Sequence, residues 1–150
     1  MDTPQPNYTL LFDGGWSPRE AYGSFAYTPR EATLKQPQPF LVVGHRLPIV
    51  AATHTMAEYQ AMILGLRFLG WLIETCRTQL IGDGRFEWLE IIGDNQTVIS
   101  QLNGDMNVTT ALIQTQYLLA NSERMKLERF FERITYRHVP RAVCQSVFHH

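Results

Sequence analysis

Short apolar runs ending on polar turns fill the first third of the chain, and apolar positions at helical spacing begin near residue 55. Tyr8-Thr9-Leu10-Leu11-Phe12 is almost wholly apolar and stops on Asp13-Gly14-Gly15. An unbroken apolar run predicts a strand covered on both faces, which is central-strand behaviour. The paired glycines predict a sharp turn directly after Asp13. Residues 21–28, with Phe25 and Tyr27 on one face, predict a second strand, and residues 40–47 a third. Residues 29–39 carry three prolines and several charges, which predicts a long exposed connection. Three strands this close in sequence suit an antiparallel meander.

Thr55-Met56-Ala57-Glu58 opens a helix whose apolar positions Tyr59, Met62, Ile63, Leu66, Leu69, Gly70 and Ile73 form one stripe. Thr55 and Glu58 also match a capping box, which taken alone is the better account of Glu58. Residues 77–85 are polar and hold Gly82-Asp83-Gly84, a surface turn. Residues 86–92 predict a fourth strand that again ends on an aspartate, in Gly93-Asp94-Asn95. A short helix over residues 96–102 stops at Asn103-Gly104. A further helix spans about residues 109–124, with Leu112, Tyr117, Leu118 and Leu119 as its apolar positions. The charged stretch 123–132 continues that helix or forms a loop. Residues 134–139 predict a fifth strand, and residues 142–150 show no convincing period. The order β-β-β-α-β-α-β specifies an α/β domain with a mixed sheet, strands four and five lying parallel to strand one.

Composition narrows the setting more than the chemistry. The 150 residues suit a single domain, and 45% hydrophobic with 18% charged residues is ordinary for a soluble protein. Charges interrupt every apolar run before it reaches membrane-spanning length, so no membrane association is expected. The Pro-rich polar start is unlike a secretory signal, and Cys76 and Cys144 lack metal-type spacing, so a reduced, cytoplasmic setting follows. A net charge of −1 excludes a protein coated in basic charge but not a local patch for phosphates.

The candidate chemistry lies in the carboxylates. A lone Asp-Gly reads as a turn cap, but adjacent parallel strands one and four would set Asp13 and Asp94 side by side. A crossover helix packing back on the sheet would bring Glu58 towards both. Three converging carboxylates repel one another, and a divalent cation resolves that conflict. Hard oxygen ligands favour Mg2+ or Mn2+ over zinc. Two such ions suit phosphodiester hydrolysis.

Four blocks together resemble type 1 ribonuclease H, of the form lacking the basic handle helix. They are Leu11-Phe12-Asp13-Gly14-Gly15 with Tyr22-Gly23, Thr55-Met56-Ala57-Glu58-Tyr59-Gln60-Ala61, Ile92-Gly93-Asp94-Asn95-Gln96 through Leu102-Asn103-Gly104, and His138-Val139-Pro140-Arg141. The resemblance implies a ribonuclease H-like five-stranded mixed sheet of order 3-2-1-4-5 flanked by helices. It further implies a monomeric enzyme that cleaves the RNA strand of RNA–DNA hybrids with two Mg2+ or Mn2+ ions. Asp13, Glu58 and Asp94 match the family's first three metal-binding acids. By resemblance, Thr55, Met56, Asn95 and Gln96 are placed for backbone contacts that read hybrid shape and 2′-hydroxyls. The amides near Gly14 and Gly15 could bind phosphate or 2′-hydroxyl groups, and Arg141 could join the basic binding track. Arg46, Arg137 and His138 could support the binding track, whereas Arg124, Lys126 and Arg129 alternate with glutamates and read as a solvated face.

Two departures stand out. The family follows its His-Val-Pro-Arg block with an Asn and then an Ala-Asp pair that opens a last helix and supplies the fourth acid. Aligned without gaps, Cys144 falls on the Asn and Val147-Phe148 on the Ala-Asp. The fourth ligand and terminal helix are then absent, truncated, or replaced through His149 or His150, and a disordered tail is the simpler account of those histidines. The loop after Asp13 is also short, and Trp16-Ser17-Pro18-Arg19 has no clear family equivalent. Two other functions stay open: a catalytically impaired hybrid-binding module lacking the fourth acid, and a related nuclease with another nucleic-acid substrate.

Overall fold

The computed structural model describes residues 5–29, 40–80 and 84–150. The strands are β1 (Tyr8–Trp16), β2 (Ala21–Pro29), β3 (Leu41–Pro48), β4 (Phe86–Gly93) and β5 (Phe131–His138). The helices are α1 (His54–Leu80), α2 (Gln96–Leu102), α3 (Ala111–Leu127) and α4 (Arg141–Phe148). The sheet order is β3-β2-β1-β4-β5, with β1–β2 and β2–β3 antiparallel and β1–β4 and β4–β5 parallel. This is the topology expected from the strand pattern. The 29–39 connection lies outside the described residues except for its first residue, the last of β2, and so do Gly82 and Asp83 of the 77–85 turn, into which α1 extends.

Strand β1 is central because its side chains alternate between two cores. Leu10 and Phe12 join Phe25, Tyr59, Met62, Leu66, Leu69, Ile91 and Val98 beneath α1, α2 and α3. Leu11 points the other way, into Ala26, Ile92, Val139, Cys144 and Phe148. The predicted α1 stripe is buried as read, with Tyr59, Met62, Leu69 and Ile73 fully inaccessible. A break in the helical backbone at Cys76 kinks its last turn.

Four expectations change. Gly14-Gly15 is not a turn: β1 runs through both to Trp16, pairing Gly14 with Gly23 and Gly15 with Tyr22. The turn follows at Ser17–Glu20, where the Ser17 Oγ accepts from the Arg19 and Glu20 amides. Helix α1 is capped by Thr53, whose hydroxyl accepts from the Met56 amide at 3.2 Å, so Thr55 and Glu58 do not form a capping box. In α3 the buried positions are Gln116, Ala120, Glu123 and Leu127, while Leu112, Leu118 and Leu119 face solvent. That helix extends into the charged stretch as far as Leu127, where Glu123 is held by Arg67 at 3.1 Å and Lys126 at 3.3 Å, and a turn then leads into β5. Finally, residues 141–148 form a helix where no period was legible, and the terminal segment is packed rather than a disordered tail. No helix among the described residues is long and apolar enough to cross a membrane.

Candidate metal centre

The site forms where the sheet splits. Parallel pairing of β1 with β4 ends at Phe12 opposite Gly93. Asp13 is the next residue on β1 and Asp94 the next after β4, so both carboxylates leave the same end of adjacent strands. Asp13, Asp94 and Cys144 each offer a ligand atom within 4.8 Å of the others. Asp13 and Cys144 are buried and Asp94 is half-buried.

Glu58 stands beside this trio, at the fifth residue of α1. Its side chain is fully buried, and one oxygen accepts from the Gly14 amide at 3.1 Å. Gly14 permits this approach: a Cβ there would sit 2.4 Å from the Ala57 carbonyl carbon and 2.5 Å from the Glu58 amide nitrogen. Gly15 plays a similar part, since a Cβ would lie 2.0 Å from the Tyr22 ring. The glycines therefore serve close packing rather than chain reversal.

His54 lies 3.2 Å from Glu58 Oε1 through its Nε2. The same nitrogen donates to the Gly14 carbonyl at 2.9 Å, and it carries only one hydrogen. Glu58 Oε1 therefore receives charge from His54 without an aligned hydrogen bond, and it has no donor of its own. Contact with the Glu58 carboxylate raises the His54 imidazolium to about 9. Burial and then Asp94 raise the Glu58 carboxyl, against the opposing pull of His54 and the Gly14 amide.

Asp13 shows the largest consequence of this crowding. Burial, then Glu58 and Asp94, push its carboxyl from 3.8 up to about 8, with Arg141 and His54 opposing. His150 Nδ1 lies 3.3 Å from Asp13 Oδ2, and His150 Nε2 lies 3.0 Å from Ser24 Oγ. Burial and the charges of Arg46, His45 and Arg141 keep His150 on the neutral side. A raised Asp13 carboxyl and a lowered His150 imidazole both favour a neutral hydrogen bond over an ion pair at this contact. The Asp13–His150–Ser24 chain has the connectivity of a hydrolase triad, yet Ser24 is fully inaccessible and its oxygen also accepts from the Arg46 amide. It orients Asp13 and has no route to a substrate.

The remaining sequence-derived residues surround the rim. Gly14 is engaged at both its amide and its carbonyl. Thr55 and Met56 are half-buried in the first turn of α1. Asn95 caps α2 by accepting from the Val98 amide, and exposed Gln96 turns its amide to Ser100 at 2.9 Å. Arg141 is exposed at the start of α4. His138 reaches the Asp94 carbonyl at 3.2 Å. Arg137 is committed to Glu90 through two bonds of 3.1 and 2.9 Å, and Arg46 lies over the Tyr22 ring, 4.7 Å from its centre.

A divalent cation fits this donor set. An Asp13 carboxyl raised to about 8 by burial and by neighbouring acids, beside a buried Glu58 raised in the same direction, gains from a positive charge between them. His54 was not singled out from the sequence although it lies one turn before Glu58, whereas Cys144 and His150, placed there only by alignment with the family's last block, reach the site through contacts distant in sequence.

No protein-family model matches the sequence, and no curated protein compared with it does. Solved structures do match. The N-terminal ribonuclease H domain of Rv2228c from Mycobacterium tuberculosis, solved as a maltose-binding-protein fusion, is 21% identical, with a TM-score of 0.60 over 95% of this chain and 92% of that one. Ribonuclease H1 of the halophilic archaeon Halobacterium salinarum is 23% identical, with a TM-score of 0.62 over 93% and 90%. LC11 ribonuclease H1, solved in complex with an RNA/DNA hybrid, is 18% identical, with a TM-score of 0.63 over 93% and 90%. The chain has the type 1 ribonuclease H fold.

Proposed function

We propose that the protein is a divalent-metal-dependent nuclease that hydrolyses the RNA strand of RNA–DNA hybrids. The observation that carries this reading is the meeting of Asp13 and Asp94 at the β1–β4 split, with Glu58 buried beside them, in this fold. Asp13, Asp94 and Glu58 would hold two Mg2+ or Mn2+ ions. Such ions supply an activated water and charge stabilisation for the leaving oxygen. The chain's own part is positional: Gly14 fixes Glu58, His150 fixes Asp13, and the end of β4 fixes Asp94. Thr55, Met56, Asn95, Gln96, Arg141 and the Gly14-Gly15 segment form the rim against which a hybrid would lie. Arg124, Lys126 and Arg129 are paired with Glu128, Glu123 and Glu74, so they add little to the binding track. Monomeric action in the cytoplasm is part of the same proposal.

The test is cleavage of a hybrid labelled on its RNA strand, with Mg2+ or Mn2+. Asp13→Asn and Asp94→Asn should each abolish cleavage while the fold persists. Absence of cleavage by the native chain with either ion sinks the reading. A specific observation favours one alternative, a hybrid-binding module with impaired turnover. Phe148, at the position where the resemblance expects the fourth acid, is buried in the second apolar cluster and cannot ligate. Retained hybrid affinity without metal-dependent cleavage would select that alternative.

A further inference from the structure

We propose that Cys144 ligates the metal as a thiolate, so that Asp13, Asp94 and Cys144 make a mixed oxygen–sulfur site preferring a sulfur-tolerant divalent cation such as Zn2+ or Mn2+ over Mg2+. The proposal rests on Asp13 and Asp94 being metal ligands.

Geometry comes first. Ligand atoms within 4.8 Å of one another can close on one ion with small side-chain movements, since sulfur and oxygen bonds to such ions are about 2.0–2.3 Å. Cys144 lies at the fourth residue of α4, fully buried, facing β1, with the Phe12 carbonyl 3.9 Å from its sulfur. That is a weak partner for a buried thiol. The thiol also hydrogen-bonds the Asp94 side chain and lies near Asp13 and Glu58, a charged setting for a residue that otherwise packs as a small apolar group. Beside the trio, Glu58 is a fully buried side chain whose Oε1 accepts no hydrogen bond and has only the His54 imidazole near it, at 3.2 Å.

On binding, the sulfur exchanges its proton for the cation, and the proton leaves to solvent with no change of oxidation state. Sulfur is a poor ligand for Mg2+ and a good one for softer ions. Metal choice in this site therefore follows from Cys144.

Cd2+ titration of the metal-free full chain reports thiolate ligation directly, through the ultraviolet sulfur-to-metal charge-transfer band. Native protein and Cys76→Ser should show the band. Cys144→Ser should lose it and bind Cd2+ about 10- to 100-fold more weakly. Its Mg2+ affinity, measured by calorimetry, should change by less than about threefold, which also shows that the variant is folded. Cd2+ binding without the band in the native chain, or a band that survives Cys144→Ser, overturns the proposal. Asp13→Asn separates the two readings. If it abolishes Mg2+ binding while native protein shows no band, the carboxylate site stands and only the thiolate fails. If it leaves both Mg2+ and Cd2+ binding intact, both fail.

Discussion

Replacing Asp13 with Asn should stabilise the metal-free protein, and the gain should grow with pH. Burial and two neighbouring acids lift Asp13 from 3.8 to about 8. A carboxyl raised in the folded state binds its proton more tightly there than in the unfolded chain. Its contribution is therefore complete below the ordinary carboxylate range and is lost as pH rises through about 8. At about 1.4 kcal/mol per pK unit, the full displacement bounds the loss at about 6 kcal/mol. The His150 hydrogen bond and access to water at the rim reduce this, so a gain of about 2–4 kcal/mol for Asp13→Asn is expected at pH about 8.5. The difference should shrink towards zero near pH 4. His54, raised to about 9 chiefly by Glu58, acts in the same direction in both proteins, and the substitution removes only the last of its causes, the Asp13 charge. Urea unfolding in the presence of a chelator, at a series of pH values, measures the effect. Adding Mn2+ should reverse the order, because the cation stabilises only the protein that binds it. If Asp13→Asn is destabilising by the same amount at every pH, Asp13 is an ionised structural carboxylate and the crowding argument is wrong.

Gly14→Ala should cost at least about 1–3 kcal/mol, because the new methyl meets the Ala57–Glu58 backbone rather than a movable side chain. It should also weaken metal binding, measured by Mn2+ calorimetry, by displacing Glu58. Arg137→Met should destabilise by about 1–3 kcal/mol by leaving buried Glu90 without its partner. Adding Glu90→Gln should recover most of that loss in the same urea assay. Phe148→Asp should lower stability by at least about 3 kcal/mol and give no gain in Mn2+ affinity, since the side chain lies in the apolar cluster of the second sheet face.

Much of the fold was readable because its signals are local. The apolar run before Asp13 marked a strand buried on both faces, and the α1 stripe gave its core face residue by residue. The apolar runs that stop on Asp13 and Asp94 were enough to predict that the two acids meet once the strands are parallel neighbours. What failed depended on distant contacts. Gly14-Gly15 looks like a turn because a tight turn and a close backbone approach both select glycine, and only the position of Ala57 distinguishes them. The Glu58 capping box was plausible until Thr53, two residues earlier, took the cap. His150 meets Ser24 across 126 positions of sequence, which no periodicity reports. In α3, burial of Glu123 beside two cations inverted the apolar pattern and left three leucines in solvent.

The end of α4 links the stability of the metal-free protein to its appetite for metal. A fourth carboxylate here would add to the burial and repulsion that already raise Asp13 to about 8. Phe148 instead covers Leu11, Ala26, Ile92 and Val139 on the second face, and its ring stacks on His150 at 5.6 Å. His150 in turn holds Asp13 through a neutral hydrogen bond. The segment thus replaces a charge that needs a cation with apolar burial and a neutral hydrogen bond that do not. Each substitution favours the metal-free fold, and each removes part of the free energy that would drive an ion into the cleft. A stable metal-free protein with weaker cation affinity is therefore the expected pairing, and any ligand that restores affinity must be one that carries no charge until the ion arrives. A buried thiol meets that condition where a fourth aspartate would not.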